Sequence, residues 1–144
     1  ARIAARSPAA RVQLEPELLT GGWRWATNGA AALLLAHAAL RAPWRAWLVA
    51  RTDRQHVWLG GIVLLTLVWS MRAGVTPGLS FHFLLATALT LMHGWRLALV
   101  AIAVVLAVLA WFRGGAAAWG ANFLCVGVVP VALVAVLHGL VQRW

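Results

Sequence analysis

An all-α membrane protein, a polytopic bundle of about five transmembrane helices, is the fold class the sequence predicts, and three observations predict it. Of 144 residues, 63% are apolar and only 10% are charged, where a soluble domain carries about 25% charged residues. From residue 57 to the end the only charges are Arg72, Arg96, Arg113 and Arg143, set at the edges of long apolar runs. Ten tryptophans and no tyrosine suit anchoring at the two membrane interfaces. Trp23, Trp25, Trp44, Trp47, Trp58, Trp95, Trp111 and Trp119 fall close to expected helix ends.

The elements follow in order. Residues 1–21 form a polar Arg/Ala-rich segment, and residues 22–144 a single transmembrane helical domain. The first helix, 22–40, is the least hydrophobic and holds Asn28 and His37. Pro43 ends it, and a polar stretch, 41–56, follows, in which WRAWLV suits a short interfacial helix. The second helix, 56–71, is short for a bilayer, with Arg72 placed to snorkel at its end. GVTPG at 74–78 leads to a third helix over 77–93, with Pro77 in its first turn. A re-entrant loop at this break is the alternative, if protein covers it. A fourth helix spans 95–112, FRGGAAAWG links it to a fifth over 119–141, and Pro130 predicts a kink in the last.

Several function classes drop out on composition. The net charge of +9 does not point to nucleic acid, because the arginines form no single stripe and sit at helix ends near headgroups. One cysteine, Cys125, excludes an internal disulfide and a cysteine-rich metal site. The first 18 residues lack the apolar core of a secretory signal. No expected crossing contains a carboxylate, and no nucleophile motif, P-loop or dinucleotide fingerprint occurs. No catalytic or cofactor-binding residue is therefore assigned, and the protein reads as no enzyme. Arginine counts on the two sides nearly tie. Discounting those far from helix ends places the N-terminus outside and the 41–56 loop in the cytoplasm.

The polar residues sort by depth. In that topology Ser80 and His82 lie in the outer half of the third helix, Asn122 and Cys125 in the outer half of the fifth. Asn122 and Cys125 are three apart, so an α-helix puts them on one face. His37, His56, His93 and His138 fall toward the inner ends. A histidine within a membrane needs a partner or a function. For His82 the readings are a bundle-facing residue bonded to a carbonyl or to Asn122, a metal or substrate ligand, or a haem ligand. Ser80, Asn122 and Cys125 are the expected pocket lining. His93 reads as an interfacial residue beside Gly94 and Trp95.

GVTPGLSFH at 74–82, followed by LxxxALxLxxGWxLAL, resembles the substrate-binding permeases of energy-coupling-factor cobalt and nickel transporters, the CbiM type. GGAAAWGANFLCVGVV at 114–129 is similar to that family's Gly-Gly…Gly-Ala-Asn…Gly-Val-Val segment. Residues 42–81 resemble a divergent branch of predicted membrane proteins within it. The likeness covers about 74–130 and implies that His82 matches a metal-ligating histidine and that Asn122 helps shape the pocket. It also implies ligands from an N-terminal Met-His, whereas this sequence begins Ala1-Arg2-Ile3 and has no histidine before His37. The expected function is a permease-like subunit of the bacterial inner membrane that binds a small cation or ligand in an outward-facing pocket near His82, a transition-metal ion being one candidate substrate. Its partners would be the lipid bilayer, a coupling protein and an ATPase, with no nucleic acid. The alternative is a non-transporting accessory subunit packed against a larger respiratory or photosynthetic complex. A third reading is a haem-binding electron carrier using His37 with His93 or His138.

Overall fold

In the computed structural model, which describes residues 21–70, 78–113 and 116–144, every extended element is a helix. Helix α1 is Gly21–Arg41 and α2 is Thr52–Ser70, and between them Arg45–Val49 makes a π-helical turn. Helix α3 runs Gly78–Arg113 but is broken at Gly94, whose φ of 79° and ψ of 160° no helix contains. A 3₁₀ turn at Ala116–Ala118 opens the last rod, which continues as α4 (Trp119–Asn122), a π segment (Phe123–Val128) and α5 (Val129–Val141). Counting α3 as two arms, the described residues make five rods. Two stretches among them are long and apolar enough to cross a membrane, Leu85–Phe112 and Ala116–Val141. In α1 the polar Arg24, Thr27, Asn28 and His37 dilute the apolar run, and in α2 Asp53, Arg54, Gln55 and His56 do so.

Two expectations shift in detail. Helix α2 starts at Thr52 rather than 56, and Asp53 stands in its first turn, where a carboxylate complements the helix dipole. Its 19 residues then span about 28 Å at 1.5 Å per residue, nearly the thickness of the hydrocarbon core. Pro130 stands at the start of α5, where π winding passes to α winding. The residues flanking this junction, Val128 and Val129, keep right-handed helical angles. A change of winding thus accommodates the missing proline N–H. The expected start of the third helix at Pro77, the GVTPG link and the re-entrant loop lie outside the described residues.

The second arm of α3 is the hub of the bundle. Leu97, Ala98, Leu99, Ala101, Ile102, Ala103, Val105, Leu106 and Leu109 are all buried. Helices α1, α2 and α5 each contact α3. Small residues at these seams let backbones approach, as helix pairs in lipid require. A Cβ added to Gly127 would stand 2.9 Å from Ile102 Cγ2, and one added to Gly61 would stand 3.0 Å from Leu89 Cδ2. The first arm of α3 meets α2 at Gly61 through Leu89. The second arm meets it at Trp58, whose indole N–H donates to Leu97 O at 3.2 Å. Both arms therefore lie against the same end of α2, and the chain turns back at Gly94.

Candidate functional site

Ser80 and His82 sit on the first arm of α3, with side chains outside the described set. Asn122 ends α4 and is buried, 8% exposed, between Ala121 and the fully buried Phe123. Cys125 is exposed. The expectation that Asn122 and Cys125 share a face assumes 3.6 residues per turn. The π segment beginning at Phe123 closes i→i+5 turns instead, so three residues no longer return to the same side.

Helix α1 fixes the segment that carries Asn122. The Asn28 side-chain amide donates to Ala117 O at 3.3 Å, and the Gly120 N–H donates to Asn28 Oδ1 at 2.7 Å. Amides in the first turn of a helix have no partner within it, so Asn28 caps the last rod from a neighbouring helix. Contact is close enough that a Cβ on Gly120 would lie 2.5 Å from Asn28 Cα. Behind the clamp the rings of Trp119 and Phe123 stack at 5.3 Å with 3° between planes. In the sequence Asn28 shows only as a polar residue in a weakly apolar helix. A lone amide in such a helix, with small residues in a later one, was the signal for a cross-helix bond.

At the opposite end, where the Arg41–Thr52 link and Gly94 lie, aromatic and cationic side chains interlock. Trp44 Nε1 donates to Ala39 O at 2.7 Å, and its ring meets Trp58 edge-on at 6.0 Å. His37 stacks on Trp95 at 6.4 Å, and Arg96 donates to Arg41 O at 3.0 Å. The Arg54 guanidinium lies 4.4 Å from the Trp47 ring centroid, and Trp47 in turn packs beside His93 at 6.5 Å. Trp47, Asp53, Arg54, Val57, Met92 and His93 line an open cleft of about 330 Å³. His93, expected at the interface, forms part of this cleft and is only 5% exposed. Its Nδ1 has no hydrogen-bond partner, a state that costs about 1–3 kcal/mol for a buried polar atom. Of the residues in the haem reading, His37 lies against Trp95 and His138 Nε2 is 2.9 Å from Gln142 Nε2. Among the described residues no group of three or more His, Cys, Asp or Glu is placed to hold a metal ion.

Comparison with known proteins gives one family. The model described as the cobalt uptake substrate-specific transmembrane region, CbiM, matches residues 13–144. No curated protein and no solved structure matches the chain.

Proposed function

The chain belongs to the CbiM family of cobalt uptake transmembrane proteins, and from that premise we propose that it is the substrate-binding permease subunit of an energy-coupling-factor transporter. The single observation that carries this reading is the extent of the match, which includes all five rods. It is an integral membrane protein, and in this reading all five rods cross the bacterial inner membrane. A divalent transition-metal ion, cobalt first, is the substrate. His82 supplies a neutral imidazole nitrogen, a ligand type suited to such ions. Asn122 shapes the opposite wall and Ser80 stands at the rim, while the exposed Cys125 lies outside the first ring of contacts. The Asn28 clamp supports the proposal, because it ties the Gly120–Asn122 segment to α1 and so fixes where the Asn122 backbone sits. The sequence has no nucleotide-binding motif, so ATP hydrolysis and its coupling come from partner subunits.

The test is cobalt binding by the full chain in lipid nanodiscs, read by equilibrium dialysis. His82→Ala abolishes binding, and Asn122→Ala weakens it about 10- to 100-fold, the range for groups that support a metal site. Unchanged affinity in His82→Ala would overturn the pocket. A wild-type chain that binds no cobalt with its partners present would favour the accessory-subunit reading instead.

A further inference from the structure

We infer that the cleft between the Arg41–Thr52 link and the Gly94 turn binds the phosphate headgroup of an anionic phospholipid. Its polar mouth is built from Asp53, Arg54 and His93, and its wall from Trp47, Val57 and Met92. Val57 and Met92 are half-exposed, so the wall runs out onto the surface that acyl chains cover. Arg54 stands in the first turn of α2, where free amides and the helix dipole attract phosphate oxygens. Its guanidinium is held over the Trp47 ring, which orders the group before a ligand arrives. The buried His93, with Nδ1 unpartnered, adds a polar floor.

Charge decides the class of lipid. Among the described residues this end of the bundle carries Arg41, Arg45, Arg51, Arg54, Arg96 and Arg143, with Asp53 as the lone acidic side chain. Arginines near a membrane surface each favour anionic over neutral lipid by roughly fivefold. Asp53 opposes that preference from within the cleft. The site lies at the other end of the rods from the Asn28 clamp and does not depend on the metal pocket.

Native mass spectrometry of the purified full chain tests this, after equilibration with equal amounts of phosphatidylglycerol and phosphatidylcholine bearing identical acyl chains. The chain retains phosphatidylglycerol preferentially. Arg54→Gln lowers the ratio of the two retained lipids about fivefold, and Asp53→Asn raises it by a similar factor. Arg24→Gln, at the other end of α1, leaves it unchanged. Opposite shifts from two neighbouring substitutions separate a binding effect from misfolding. Equal retention of the two lipids, or a ratio that Arg54→Gln and Asp53→Asn both leave alone, would overturn the proposal. Displacement of the lipid by millimolar inorganic phosphate would also overturn it, showing a site for the free ion.

Discussion

Of the described glycines, Gly120 leaves the least room for a Cβ, because Asn28 backbone lies against it, and substitutions at this pair separate hydrogen bonding from steric fit. Asn28→Ala leaves the Gly120 amide and the Ala117 carbonyl without this partner, and a loss of about 1–2 kcal/mol is expected, the scale for interhelical bonds in membranes. Gly120→Ala costs more, toward the upper end of the roughly 1–3 kcal/mol typical of overpacking, because the opposing atoms are Asn28 backbone. Gly127→Ala is the control. Its obstacle is the Cγ2 methyl of Ile102 at 2.9 Å, so Gly127→Ala combined with Ile102→Leu, a swap of equal volume that takes that methyl off Cβ, recovers part of the loss. Thermal unfolding in detergent reads all of these. Residue chemistry of this kind was only half legible in the sequence. Asn122 stands out in the sequence as a polar group inside an apolar stretch, and in the structure it is buried. Its neighbour Asn28 drew no assignment, because which helix lies beside α1 is a tertiary fact that no local pattern encodes.

Among the elements, the break within α3 was the most legible. The dipeptide Gly94-Trp95 in an otherwise continuous apolar run marked a helix end, and Gly94 has the one positive φ among the described residues. Its angles lie in a region that only glycine occupies without strain, at a cost of about 1–3 kcal/mol for other residues. No Cβ contact stands within 4 Å of it, so crowding is excluded as the reason for glycine. Gly94→Ala should therefore destabilise by that amount through backbone strain alone, and Gly94→Val no less. A neutral Gly94→Ala in a thermal melt would show that the two arms can adjust around a different turn. The π segment at Phe123–Val128 was not legible. Pro130 signals a disturbance of the helix, yet proline alone does not say whether the chain bends or rewinds.

The whole molecule is an arrangement of two ends. Trp23, Trp25, Trp69, Trp111 and Trp119 belong to one end of the rods; Trp44, Trp47, Trp58, Trp95 and Trp144 belong to the other. Such rings mark the two interfaces of a membrane protein. With the 41–56 loop in the cytoplasm, Thr52→Cys in a Cys125→Ser background is expected to resist an impermeant maleimide applied from outside, while Thr76→Cys reacts. The opposite pattern would invert the assignment. Membership of the membrane class was legible from charge content alone; sidedness was not, because arginines divide almost evenly between the ends. Gly94 has a consequence at this scale too. Leu85–Phe112 is long and apolar enough on average to count as one crossing, so an insertion machinery reading hydrophobicity could thread it once rather than as a hairpin. One crossing fewer changes the parity of everything downstream. The final rod would then enter the bilayer inverted, with Ala117 and Gly120 delivered to the leaflet opposite Asn28. An error at this glycine would not appear as a local distortion. It would appear as a carboxyl terminus on the wrong side of the membrane, visible to a terminal reporter as a reversal of sign.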